Sequence, residues 1–182
     1  MLLSHILRKE NNNLDIFRVI AAVMVIYGHA YALLPTEGTI DPIGKLLGFD
    51  YSGSLAVKIF FFLSGLVVTN SLMQNKNIKQ FLISRFFRIW PAFIVVLASM
   101  AFFLGPILSQ KTLNEYLSNS QVYGYFFRSI FMDVRFDLPG IFQTNAIKSA
   151  NGSLWSIPLE IYAYILLILG GFKSEVQHLP TL

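Results

Sequence analysis

Asp15, Arg18 and His29 stand inside the stretch LDIFRVIAAVMVIYGHA, residues 14–30, whose other members are almost all apolar. An ionisable side chain in a bilayer-spanning helix costs on the order of several kcal/mol, so each of the three asks for a partner or a purpose. At about 100° per residue, the steps from Arg18 to His29 make three turns plus about 20°. Both side chains therefore point to one helix face, roughly 16 Å apart along the axis. Asp15 lies one turn before Arg18 and can pair with it. The result is a polar stripe, ionic at one end and an imidazole at the other, which is expected to face protein. Taken singly, each residue has a structural account: Asp15 and Arg18 reach the headgroups, and His29 bonds a neighbouring helix. Taken as an aligned set they suggest chemistry, because histidine changes charge most easily near neutral pH and is a natural general base.

These residues must be positioned by elements that cross a membrane. Of the 182 residues, 54% are apolar, 17 are Phe and only 13% are charged. A soluble domain carries about a quarter charged residues. A lipid-embedded backbone must satisfy its own hydrogen bonds, so the fold class is all-α, a multi-pass transmembrane bundle. Four stretches can span roughly 30 Å of hydrocarbon; they fall near residues 14–34, 55–74, 89–108 and 155–172. A signal-peptide reading of the first run would use Arg8, Lys9 and the Ala30-Tyr31-Ala32 triplet. Asp15 and Arg18 interrupt that run and further spans follow it, which argues against cleavage.

Basic residues in short loops set the orientation. Arg8 and Lys9 precede the first span, and Lys76, Lys79, Arg85 and Arg88 follow the second. Residues 35–54 carry Lys45 against Glu37, Asp41 and Asp50. The N-terminal segment 1–13 and the loop 75–88 are thus expected in the cytoplasm, and 109–153 outside. A short membrane-surface helix is expected around Val122–Met132, aromatic on one side. The absence of cysteine removes disulfides, thiolate metal sites and a cysteine nucleophile. No metal-ligand cluster, phosphate-binding glycine loop or nucleic-acid signature is present, and His5 and His178 receive no role.

Four motifs together resemble the membrane-bound acyltransferase-3 family. LDIFRVIAAVMVIYGH resembles its first-helix signature, with ten residues between an Arg and a His, and VKIFFFLSG at 57–65 its second-helix motif. FLISRFFRIWP at 81–91 resembles the Arg-x-x-Arg loop running into Pro, and NGSLWSIPLEI at 151–161 the Trp-Ser-x-x-x-Glu segment. Four motifs in order are far more specific than any one. The resemblance implies an O-acyltransferase of the bacterial inner membrane, in a family whose members have roughly ten spans. It implies transfer of an acyl group, acetyl first, from cytoplasmic acyl-CoA to a hydroxyl of a cell-surface glycan or lipid-linked glycan, with no metal. Lys58 departs from the family pattern, where a neutral or acidic residue is common, although near the outer face it can snorkel. Length departs more. Residues 14–172 read as the N-terminal part of such a domain, and the tail GGFKSEVQHLPTL suggests a truncated or frame-shifted gene whose other half is a possible partner.

Acyl transfer to an alcohol needs a deprotonated hydroxyl, a stabilised oxyanion and a held donor. His29 is assigned as the base, or as a covalent acyl carrier. Arg85 and Arg88, one turn apart, would clamp the phosphates of CoA, and Arg18 would guide its pantetheine arm along the first helix. The alternative for the pair is plain positive-inside topology with lipid headgroups. Glu160 follows Ser156 as an N-cap and Pro158 as an early helical residue, where an acid also suits the helix dipole. Counted from the outer surface, His29 and Glu160 both lie roughly 6–8 Å deep, so the carboxylate can fix the imidazole tautomer. Trp155, Tyr162 and Tyr164 read as interface and packing residues, and Ser64-Gly65 as a close helix contact. Two other readings stand beside the enzyme: an inactive fragment of one, and a small transporter or channel subunit with an intramembrane proton path.

Overall fold

In a computed structural model that describes residues 14–33, 41–48, 50–74, 77–145 and 147–176, the chain folds into helices, with no strand among the described residues. Four helices are long and apolar enough to cross a membrane. The segment 1–13, with His5, Arg8 and Lys9, lies outside the described residues, as do Lys76 and His178. Contacts divide the chain into two compact units, residues 1–76 and 77–182.

In the first unit, α1 (Leu14–Leu33) packs against α3 (Ser52–Gln74), and the short α2 (Pro42–Leu47) lies between them in sequence. Asp41 organises the connection. Its Oδ1 accepts the Ile43 N–H at 3.2 Å, capping α2 ahead of Pro42, and its Oδ2 accepts the Ser52 N–H at the start of α3. Burial would raise the Asp41 pKa, but the backbone N–H groups of Ser52, Ile43 and Gly44 outweigh it and hold the carboxyl below its ordinary value. Gly48 closes α2 in the left-handed region, at φ 73°, where a side chain would strain the backbone. Lys58 does not merely snorkel: its Nζ meets Asp50 Oδ2 at 2.6 Å, and that hydrogen bond lowers the Asp50 pKa.

The closest α1–α3 approach falls at Gly28 and Gly53, not at Ser64-Gly65. A Cβ on Gly65 would meet nothing within 4 Å, whereas one on Gly28 would run into the Gly53 backbone and the Ser52 hydroxyl, 2.7 Å away. Small residues let membrane helices touch, and here the seam is made by glycine on both sides. Gly28→Val should destabilise the α1–α3 pair by about 1–3 kcal/mol, the usual cost of overpacking. Thermal unfolding of the detergent-solubilised protein reads this directly, and an unchanged midpoint would rule the seam out.

In the second unit, the third span begins eleven residues earlier than its apolar run suggests. Asn77 caps α4 (Ile78–Ala98) by accepting the Gln80 N–H at 3.2 Å, and the helix passes through Arg85, Arg88 and Pro91 without breaking. It continues as one π-helical turn, Ser99–Leu104, and ends with α5 (Gly105–Leu108). The π register has an identifiable cause. Pro106 has no N–H to give, and the Gly105 N–H bonds Met100 O instead of Ala101 O. Ala101 O, left without a backbone donor, accepts the Tyr116 hydroxyl at 2.9 Å. Tyr116 sits on α6 (Leu113–Leu117), fully buried, and that burial pushes its pKa up to about 12.

Over the segment where a surface helix is expected, α7 (Ser120–Ile130) forms and packs against α4 and the π turn. Val122, Tyr125 and Ser129 are buried, while Tyr123 and Phe127 are exposed. Asp133 then takes Arg128 Nε at 2.7 Å and Arg135 Nη2 at 2.8 Å. The chain folds back through Gln110 N–H to Gly140 O and Ala150 N–H to Phe136 O, both strong backbone bonds at 3.0 and 2.8 Å. The last span, α8 (Ser156–Val176), is entered through a 3₁₀ turn, Gly152–Trp155. Asn151 caps that turn by accepting the Ser153 N–H, so Ser156 is not the N-cap; its hydroxyl donates back to Ser153 O at 3.2 Å.

Candidate active site

The polar stripe of α1 turns inward only in part, because Asp15 at its end is exposed, with 84% of its side chain accessible. Arg18 and His29 are both partly buried, while Ile16, Phe17, Val19 and Ile20 around Arg18 are each at least half exposed. Arg18 Nη1 meets Asp15 Oδ1 at 2.9 Å, an ion pair one turn long at the start of the span. Ion pairs of this kind are weak in water and gain from a less polar surround, so Asp15 neutralises and aims the guanidinium.

His29 is held by its own helix. Its Nδ1 lies 2.7 Å from the Val25 carbonyl oxygen. A carbonyl only accepts, so Nδ1 carries a proton, and in the neutral ring Nε2 is the nitrogen with the lone pair. That is the tautomer a general base requires, and α1 supplies it one turn away without a carboxylate. His29 and Glu160 belong to different units, and their pairing stands as a proposal.

Within the second unit, Arg85 and Arg88 have different surroundings although they are one turn apart. Arg88 is exposed. Arg85 is half-buried, its guanidinium 5.5 Å from the Phe81 ring centre and 5.9 Å from that of Tyr164. Such cation–ring contacts are worth about 2 kcal/mol or more when desolvated. They leave the N–H donors unanswered: Arg85 Nε and Nη1 are buried with no hydrogen-bond partner. An unsatisfied buried donor costs about 1–3 kcal/mol, more on a charged group, so this cation is set to take an anion. Beside it lies a recess of about 280 Å³, with Arg85, Phe86, Trp90 and Tyr164 among its walls.

Tyr164 is the residue that reading the sequence missed. Its hydroxyl donates to Glu160 Oε1 one turn earlier, and its ring also packs edge-on against Phe81 at 6.2 Å. Counting from the ends of the spans sets Arg85 near one membrane surface and Glu160 near the other, yet one tyrosine touches both. The four-residue step from Glu160 to Tyr164 was a readable signal for their contact, and nothing local pointed to Arg85. Among the described residues, no group of His, Asp and Glu could hold a metal ion.

A family model described as an acyltransferase domain matches residues 11–174, nearly the whole chain. The chain belongs to the acyltransferase-3 family. Its relatives include the O-acetyl transferase of Shigella phage Sf6, 35% identical over 86% of this chain and 45% of that protein. Nodulation protein 10 of Rhizobium leguminosarum bv. viciae is 29% identical over 87% of this chain and 43% of its own length. The peptidoglycan O-acetyltransferase OatA of Listeria monocytogenes is 29% identical over 87% of this chain and 24% of its own. The chain therefore spans less than half the length of these curated relatives. No solved structure matches it. Membership agrees with the four apolar helices in making this a multi-pass membrane protein.

Proposed function

We propose that this chain contributes the donor side and the base of a membrane O-acyltransferase, moving an acetyl or other acyl group from acyl-CoA to a carbohydrate hydroxyl. The observation that carries the reading is Arg85, a half-buried arginine with two buried, unanswered donors beside an open recess, in a family of acyltransferases. Arg85 takes a phosphate of CoA through charge-assisted hydrogen bonds, and the exposed Arg88 adds a second, weaker contact. Arg18, aimed by Asp15, guides the pantetheine arm. His29 removes the acceptor proton at Nε2, the nitrogen left free by Val25 O. The hydroxyl oxygen forms the new bond to the acyl carbon, the C–S bond breaks, and CoA leaves as the thiol. Glu160 joins through either the His29 imidazole or the Tyr164 hydroxyl, and the hydrogen bond within α8 favours the tyrosine.

The N-terminus and the start of α4 face the cytoplasm in this reading, where acyl-CoA is made, and the membrane is the bacterial inner membrane. The acceptor is a cell-surface or lipid-linked glycan, a reading that the name of the peptidoglycan O-acetyltransferase relative supports. The test is label transfer from radiolabelled acetyl-CoA into glycan material, in membranes carrying the chain alone and together with the C-terminal half of a full-length relative. Transfer in either preparation, lost with Arg18→Ala, is expected. Correctly inserted protein that transfers nothing in both would overturn the reading, and solute movement without acyl-CoA would favour the transporter instead.

A further inference from the structure

We propose that Tyr164 is a positioning residue for Arg85, locked in place by Glu160, so that Glu160 serves donor binding and not the histidine. The inference rests on Arg85 as the donor-phosphate ligand. The guanidinium lies at 5.5 Å from one ring and 5.9 Å from another, and these two rings lie edge-to-face at 6.2 Å. Phe81 is on the same helix, one turn before Arg85, and is itself buried. Tyr164 comes from α8, and is buried as well. Packing against Phe81 restricts its ring, and holding the hydroxyl restricts it further.

Glu160 holds it. The carboxylate accepts the hydroxyl from one turn earlier on the same helix, a spacing that needs no tertiary support. The ring then presents a fixed face, and a cation over a fixed face has a preferred place. Arg85 makes no hydrogen bond through Nε or Nη1, so the two rings and the neighbouring Tyr164 hydroxyl are what direct it. A phosphate entering the recess meets a fork already pointed, which lowers the ordering cost of binding. The carboxylate never touches the donor; it acts through the tyrosine. Glutamine can accept the same hydroxyl, which separates this role from one that needs the negative charge.

The experiment compares Tyr164→Phe, Tyr164→Leu, Glu160→Ala and Glu160→Gln in the purified protein, with coenzyme A as the probe. Trp90 shares the recess wall with Arg85 and stacks on Phe86 at 5.0 Å, so its fluorescence reports occupancy in a Trp155→Phe background. Tyr164→Phe and Glu160→Ala are expected to weaken CoA binding by about 3–10-fold each, and the pair together no more than either alone, as coupled residues do. Tyr164→Leu should weaken it by about 10–100-fold through loss of the ring. Glu160→Gln should stay within about threefold of wild type, because the acceptor remains. Where turnover is measured, Tyr164→Phe, Tyr164→Leu and Glu160→Ala should raise KM for acetyl-CoA and leave kcat unchanged. Wild type that binds CoA with all four variants unaffected would overturn the positioning role alone. Glu160→Gln lowering kcat with KM unchanged would return Glu160 to the histidine. Wild type that binds no CoA would defeat the donor reading, and this inference with it.

Discussion

His29→Ala should lower kcat for acyl transfer by about 10²–10⁴-fold, the usual worth of a positioned general base, and leave KM for acetyl-CoA near its starting value. The expectation rests on one distance. With Nδ1 donating to Val25 O at 2.7 Å, the neutral ring presents its lone pair at Nε2. A hydroxyl brought to Nε2 needs no tautomer change before it gives up its proton. Alanine removes the base but not the helix, since it is the best helix former and His29 makes no other described hydrogen bond. Stability should therefore change little, and gel filtration in detergent would show a single unaltered species. A loss of kcat smaller than about threefold in well-folded protein would remove His29 from the chemistry. The variant also sorts the possible roles of Glu160. If the carboxylate supports the imidazole, Glu160→Gln should share the kcat loss; if it works through Tyr164, the two variants should act on different constants.

The parts of this molecule that were legible in the sequence depend on local periodicity. Long apolar runs announced four spans, and a step of three turns plus about 20° put Arg18 and His29 on one partly buried face. The Asp15–Arg18 pair followed from the same spacing. Misplaced features depended on partners distant in sequence. The third span seemed to begin at Ile89 because two arginines look like loop; Arg85 stays in the helix because the rings of Phe81 and Tyr164 cover its charge. The tight glycine contact was assigned to Gly65, but only the pairing of α1 with α3 shows that Gly28 and Gly53 meet. The π turn at Ser99–Leu104 was invisible for a similar reason. Pro106 removes a donor, and a tyrosine fifteen residues from Ala101 replaces it. Hydropathy could not distinguish Tyr164 from the aromatic residues around it, since its importance comes from what it touches.

Arg85→Lys should raise KM for acetyl-CoA by about 10–100-fold with little change in kcat, while Arg88→Lys should change it by less than about threefold. Each tenfold corresponds to about 1.4 kcal/mol. Lysine keeps the positive charge, so the substitution leaves positive-inside topology intact and tests the site alone. What lysine loses is specific. The planar fork that meets two phosphate oxygens at once becomes a single ammonium, a loss of at least one charge-assisted hydrogen bond. The flat cation that rests 5.5 and 5.9 Å from two ring centres becomes a strongly hydrated point charge, less suited to that dry position. In the free protein, Nε and Nη1 of Arg85 carry an unmet cost, which a bound phosphate removes. Donor binding draws on that relief, and lysine at the same position has less of it to give. Arg88 is exposed and already hydrated, so its contact with a phosphate is screened and replaceable. Equal effects of the two substitutions would mean that the arginines act as a diffuse basic surface. The unequal pair of constants expected here would locate the phosphate at Arg85, in the recess that Tyr164 and Trp90 help to wall.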